Sequence, residues 1–487
     1  MKKRQRKRLI TILTALLIVF VMLSAYLGTR VITLEKQLKE AEQALRESAE
    51  GQTGDEENNG QPVVLMTEEE AQENTSADLS ADPASQTEGN TSGLPGTTSA
   101  GEKKGAGLPE TAAAGEKKDT AQTADPASPD SALEKEIEAE ARSVLEKMTT
   151  AEKVGQLFFV TPEALTGAGQ VTRAGDATRE AVRRYAVGGI IYFQQNLVEP
   201  GQTKALLQGT KDIYAELGLP EPFLTTDEEG GTVVRIADNS AFGVKNVGNM
   251  RSIKDAAEAG AAGHTIGAYM AELGFNMDFA PVADVITNPS NTVVAERAFG
   301  SDPQFVKDCV TAQSDALLEE GILPVWKHFP GHGSTEADTH AGYAYTDKSM
   351  EDLLAEDLVP YENAGEHAPC IMAAHISLPN AGGNDLPATL SENIITGILR
   401  EKLGYDGVVI TDALNMGAIA NTYSSADAAK KAILAGCDML LMPYSFSSAY
   451  EGVLAAAESG EITEERIDES VMRILKCKIR MQEKRNG

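Results

Sequence analysis

VWKHFPGHGSTEADTH, running from Val325 to His340, joins two kinds of structure. Upstream, Ile322, Leu323, Val325 and Trp326 form an apolar run that stops at Lys327 and His328 and opens into a loop punctuated by Pro330, Gly331 and Gly333. An apolar run without alternation is a strand buried on both faces, the mark of a parallel sheet. Three of the chain's six histidines, with the acids Glu336 and Asp338, lie at or beyond that strand end. Lys and His at a strand end, followed by Asp-x-His, predict a place where a substrate is held and a proton is moved.

Working outward, runs of the same kind recur at Leu157–Val160, Gly188–Phe193, Phe223–Asp227, Phe275–Val282, Leu323–His328, Cys370–Ile376, Gly407–Asp412 and Met439–Met442, and most connections between them carry a helical pattern. Eight such units between residues 132 and 487 predict an α/β fold, a single (β/α)8 TIM-type barrel. An open doubly wound sheet is the runner-up, but no Gly-rich phosphate loop comes after the first strand. Barrel active sites lie at the C-terminal ends of strands. Asp227 ends the third run with Arg235 after it, Arg297 comes after the fourth, Lys327, His328, Asp338 and His340 at or after the end of the fifth, while His375 is at the end of the sixth and Asp412 ends the seventh. Ionisable side chains from five strands therefore gather at one rim.

The N-terminal part reads differently. A basic tip (MKKRQRKR) precedes about twenty apolar residues from Leu9 to Gly28, a length that spans the roughly 30 Å of a bilayer core. Residues 1–30 are expected to be a cytoplasmic tip and transmembrane signal anchor, which places the chain beyond Arg30 outside the cell. The competing reading is a cleaved signal peptide, which would leave the domain secreted; no clear A-x-A site precedes Arg30. Residues 31–49 carry a two-heptad apolar seam, read as a short helix or coiled coil. Residues 50–131 are rich in Gly, Ser, Thr, Pro and acids, and they predict a disordered acidic linker. With 43 Lys and Arg against 73 Asp and Glu, a net charge of −30, nucleic acid is excluded as a partner. The four cysteines are widely spaced and read as buried free thiols.

Two residues carry chemistry in more than one reading. Asp412, in GVVITDALNM, suits either a nucleophile or a helix N-cap. His340, with Asp338 two residues before it, suits an acid/base whose tautomer a carboxylate fixes, or a solvated loop. His328, His332 and His340 form a poor zinc set, because Phe329-Pro330-Gly331 breaks the helix that H-x3-H spacing would need. Neither a metal nor a cofactor is expected. Glu228 and Glu229 are read as supporting or surface groups.

KHFPGHGSTEADTH, TDEEGGTVVRI, VVAERAFGSDP and GVVITDALNM together resemble glycoside hydrolase family 3, and within it the bacterial β-N-acetylglucosaminidase branch. The likeness runs from about Leu145 to Ile479. It implies a barrel, with Asp412 as nucleophile, His340 and Asp338 as an acid/base pair, and Asp227, Arg235, Arg297, Lys327 and His328 holding the non-reducing sugar. The resemblance further implies a retaining exo-enzyme that removes terminal GlcNAc from β-glycosides such as cell-wall fragments. The N-terminal apolar helix makes the membrane a second expected partner. Relatives usually carry Gln where Glu228 stands and often Arg where Thr232 stands. A β-glucosidase of the same family, a non-catalytic glycan-binding barrel and a metal-dependent hydrolase are the alternatives.

Overall fold

The structure, a computed structural model, describes residues 129–335, 344–382 and 385–486. The expected membrane anchor, the short helix after it and nearly all of the expected linker lie outside the described residues, as do Asp338 and His340. No helix among the described residues is long and apolar enough to cross a membrane.

Among the described residues ten strands occur in chain order: β1 (Phe158–Val160), β2 (Gly189–Ile191), β3 (Phe223–Thr225), β4 (Met277–Asp278), β5 (Leu323–Phe329), β6 (Ala344–Tyr345), β7 (Cys370–Ala373), β8 (Ile376–Ser377), β9 (Val408–Thr411) and β10 (Leu440–Leu441). Two parallel sheets, ordered β10-β1-β2-β3 and β4-β5-β7-β9, contain eight of them. The sheets join on both sides. Asn276 N–H donates to the Leu224 carbonyl at 3.2 Å and Phe279 N–H to that of Thr226 at 3.1 Å, while Ile410 and Met439 form a parallel bridge. The eight strands thus close into a ring, which removes the edges an open sheet would expose. Each apolar run of the sequence covers one of these strands, β5 alone reaching one residue further, to Phe329. Most strands are shorter than their runs, because residues past the pairing turn their polar groups to other partners, as Thr226 Oγ1 does in donating to the Tyr192 carbonyl. Strand β6 has no counterpart among the apolar runs and β8 overlaps one only at Ile376; they form a two-residue parallel pair too short for any periodicity.

Side-chain alternation along β1 divides the core. Phe158 meets Phe446 and Tyr450 of the outer helix Phe446–Ser459, at ring distances of 5.5 and 6.0 Å. Phe159 points the other way, to Phe223 and Phe279 at 6.1 and 5.4 Å. Gly189 on β2 makes room for it, since a Cβ there would lie 2.3 Å from the Phe159 ring. Around the ring, the helices Ala256–Leu273 and Pro303–Glu319 each start at an aspartate N-cap, Asp255 and Asp302. They meet closely at Gly263, where a Cβ would fall 2.6 Å from the Gln313 carbonyl oxygen. All four cysteines are buried and free.

Candidate active site

β5 sets the site. Trp326 faces outward and donates its indole N–H to Ser314 Oγ on helix Pro303–Glu319 at 2.9 Å. Successive residues of a regular strand alternate, so Lys327 faces the interior and His328 should turn back outward. The pairing of β5 with β7 is irregular between Trp326 and Phe329. A local irregularity of this kind re-aims side chains, and Lys327 and His328 both line one cavity of about 350 Å3. The peptide between them is cis, as is Phe329–Pro330.

Asp227, Arg235, Arg297 and Asp412 line the same cavity. All six sequence-predicted site residues that fall within the described residues are thereby brought together, each on a segment that extends or ends a strand of the ring. Phe193 and Met416 supply apolar wall. The Arg235 guanidinium carbon lies 5.6 Å from the centre of the Phe193 ring.

The charges are ordered by Glu229, an acid whose sequence context marks it only as a supporting or surface group. Glu229 accepts two parallel bonds from Arg297, Nε to Oε2 at 2.7 Å and Nη2 to Oε1 at 2.8 Å. Its Oε1 also lies 2.6 Å from Lys327 Nζ. Lys327 donates as well to Asp227 Oδ1 at 2.9 Å, and Asp227 Oδ2 stands 3.6 Å from Arg235 Nη2. Burial alone would lift the Glu229 carboxyl, but Arg297 and Lys327 outweigh it and hold the group far below the usual carboxylate range. Burial would likewise lower the Lys327 ammonium, yet Asp227 and Glu229 keep it above its ordinary value. Both groups stay charged at neutral pH.

His328 is held by a second acid that sequence reasoning missed. Asp284, wholly buried, receives the Nδ1–H of His328 at 2.7 Å and the His332 backbone N–H at 2.6 Å. A proton on Nδ1 leaves Nε2 as an acceptor, and Arg297 Nη2 faces it at 3.3 Å. Held from both nitrogens, the ring is fixed in orientation at the cavity wall. Asp284 has a local signal in the sequence: an acid within the apolar stretch Phe279–Val285 must find a partner if buried.

Asp412 comes directly after β9. Its N–H donates to the Ala373 carbonyl at 2.7 Å, and its Oδ1 accepts the Ala413 N–H at 2.7 Å. The next helix, Gly417–Ala420, starts after Met416 at its N-cap, so Asp412 does not cap it. Burial pushes the Asp412 carboxyl up, but His375, His328, the Ala413 N–H and Lys327 bring it below the ordinary value. It stands ionised at the cavity wall. His375 is occupied elsewhere, Nδ1 with Thr389 Oγ1 at 2.8 Å and Nε2 with the Ala413 carbonyl at 3.0 Å. His332 also lines the cavity, with Nδ1 3.0 Å from Thr335 Oγ1.

A larger cavity, about 520 Å3, lies at the opposite end of the ring, beside the strand starts Leu323 and Val408. Of its four cations, Arg473 and Arg480 are committed to Asp406 and Glu134. The six site residues expected from the sequence sit instead at the C-terminal end.

A ring of parallel strands with one ionised carboxylate facing converging donors and acceptors at that end has the form of a barrel enzyme's active site. Residues 149–477 match the glycosyl hydrolase family 3 N terminal domain, and the chain belongs to that family. It is 34% identical over 330 residues to beta-hexosaminidase A of Pseudoalteromonas piscicida, covering 62% of this chain and 55% of that protein. It is 31% identical over 375 residues to beta-hexosaminidase LpqI of Mycobacterium tuberculosis, covering 74% and 90%. Among solved structures it is similar to a glycoside hydrolase family 3 beta-N-acetylglucosaminidase from a Paenibacillus species, with a TM-score of 0.65 and 38% identity over 69% of this chain and 63% of that one. The chain thus spans little more than half of the Pseudoalteromonas protein and under two thirds of the Paenibacillus one.

Proposed function

We propose that this protein is a retaining exo-β-N-acetylglucosaminidase that removes terminal GlcNAc from β-glycosides. The observation that carries the reading is the placement of ionised Asp412 on a small cavity together with Asp227, Arg235, Arg297, Lys327 and His328. Such a constellation can grip several hydroxyls of one sugar and leave a carboxylate beside its anomeric carbon. The names of the relatives favour N-acetylhexosamine over glucose as that sugar.

In the first step the Asp412 carboxylate attacks the anomeric carbon. The bond to the leaving oxygen breaks, and that oxygen takes a proton from His340, whose imidazole is oriented by Asp338. Water then attacks the glycosyl ester, gives its proton to His340 and releases Asp412, with the β configuration retained. The assignment of His340 and Asp338 rests on the family motif. His332 is the second reading for the acid, because with His328 it is a described histidine on the cavity wall.

The proposed setting is the outer face of the cell membrane, with residues 1–30 as anchor and residues 50–131 as a spacer that lets the domain reach wall fragments. The support for this is the basic-then-apolar N-terminus.

The test compares hydrolysis of aryl β-N-acetylglucosaminide with aryl β-glucoside by the full-length chain and its His340→Ala and His332→Asn variants. Faster GlcNAc release is expected. His340→Ala should cost about 10²–10⁴-fold, with the loss growing for poorer leaving groups. The same signature in His332→Asn instead would move the acid to that residue. No turnover of either substrate would favour a glycan-binding barrel.

A further inference from the structure

The segment that delivers Asp227, Glu229 and Arg235 has little backbone bonding of its own. It turns through Gly230 and Gly231, at φ of +96° and +62°, and Gly230 and Val233 make only an isolated antiparallel bridge. Glu228, between two acids of the site, turns away from the cavity. Its Oε2 accepts the N–H groups of Arg235 and Ile236 at 2.7 and 2.9 Å. Its Oε1 accepts the Ala237 N–H at 2.9 Å and the Tyr269 hydroxyl at 2.8 Å. Three successive N–H groups closing on one carboxylate form an anion-binding nest. Here the anion belongs to the protein. The fourth donor ties the nest to helix Ala256–Leu273, and Glu228's own N–H donates to Asp278 Oδ1 on β4 at 3.0 Å.

We propose that Glu228 is a positioning residue for substrate binding, clamping the backbone of Arg235 so that its guanidinium meets the sugar. This rests on the function proposed above. Within the described residues, Arg235 Nε is buried without a hydrogen-bond partner, although the side chain lines the cavity. The residue whose backbone Glu228 holds most tightly is therefore the one with a donor still to be used. Glutamine at 228 would retain an oxygen for Arg235 and Ile236 and could turn its amide hydrogens to the Tyr269 oxygen, giving up chiefly the Ala237 bond. Alanine would release all four donors.

The test is a double-mutant cycle in the full-length chain, reading kcat/KM on aryl β-N-acetylglucosaminide and the inhibition constant of free N-acetylglucosamine. Glu228→Ala should lower kcat/KM about 10²-fold, the scale of a small misplacement of a binding group, and weaken the free sugar in parallel. Glu228→Gln and Tyr269→Phe should each stay within about fivefold, the worth of one hydrogen bond. On an Arg235→Ala background the penalties of Glu228→Ala and Tyr269→Phe should largely vanish. Penalties that multiply undiminished on that background would overturn the proposal, as would wild-type kcat/KM in Glu228→Ala. Should Glu228→Ala fail to fold, the Tyr269→Phe and Arg235→Ala cycle decides alone. Absence of turnover by the wild type would instead sink the functional reading.

Discussion

Lys327 Nζ lies 2.6 Å from Glu229 Oε1, with the two side chains only 2% and 1% exposed. Burying two charges is costly unless each is fully partnered, and here Arg297 and Asp227 complete the set. The arrangement trades stability for a fixed array of donors and acceptors at the mouth of the ring.

Glu229→Gln should therefore damage both fold and site. It leaves Lys327 and Arg297 short of an anion in a buried place, a loss of roughly 3–5 kcal/mol. Because the Glu229 carboxyl is depressed in the folded chain, its stabilisation is fully present above the ordinary Glu value of about 4.3 and is lost as pH falls below it. Urea unfolding between about pH 3 and pH 7 should show a steeper acid decline for wild type than for Glu229→Gln. Parallel curves would remove Glu229 from the ion network.

Asp412→Asn should separate chemistry from stability. The substituted amide keeps an oxygen for the Ala413 N–H, the hydrogen bond that Asp412 Oδ1 accepts. Unfolding free energy should change by no more than about 1 kcal/mol, while kcat falls by about 10⁴-fold or more, the scale of removing a nucleophile. Comparable losses of stability and rate would make Asp412 a structural acid.

Gly333 sits in the loop that places His332. A Cβ there would lie 2.0 Å from the Val285 carbonyl oxygen, a backbone atom that cannot move aside cheaply. Gly333→Ala is expected to destabilise by about 1–3 kcal/mol and to lower activity by displacing His332 and its bond to Asp284. Gly397, in the helical segment Asn393–Lys402, has nothing within 4 Å of such a Cβ. Gly397→Ala should be neutral or stabilising by up to about 1 kcal/mol. Equal effects at the two positions would refute the close-approach argument.

Legibility in the sequence depends on range. Lys327 and His328 are legible because an apolar run stops at them, and burial on both faces makes parallel strands legible. The roles of Glu228 and Glu229 are not, since two identical neighbours at a strand end carry no mark of which one faces the cavity. Asp284 and His328, 44 positions apart, meet through the register of β4 and β5, which no local pattern encodes. Asp412 cannot be told from a helix cap until the start of the next helix is fixed at Gly417, beyond its own cap Met416.

Lys478 offers a pH test of the core. It is buried beneath the ring, with Nζ donating to Gln156 Oε1 at 2.8 Å and lying 5.0 Å from the centre of the Phe223 ring. Burial brings its ammonium down to about 7. A lysine of ordinary pKa near about 10.4 in the unfolded chain then holds a proton that the folded chain has released. Above about pH 10.4 neither state is charged and the group costs nothing. As pH falls from there to about 7 the unfolded chain alone binds the proton, so stability declines; below about 7 both states are charged and the decline stops. The full span is on the order of 4 kcal/mol. In Lys478→Met the Gln156 oxygen loses its donor at a cost of about 1–3 kcal/mol that does not depend on pH. Unfolding free energies at about pH 7 and about pH 9.5 should therefore show wild type gaining on Lys478→Met as pH rises. A constant difference between the two proteins would mean that Lys478 remains an ordinary ammonium in the fold.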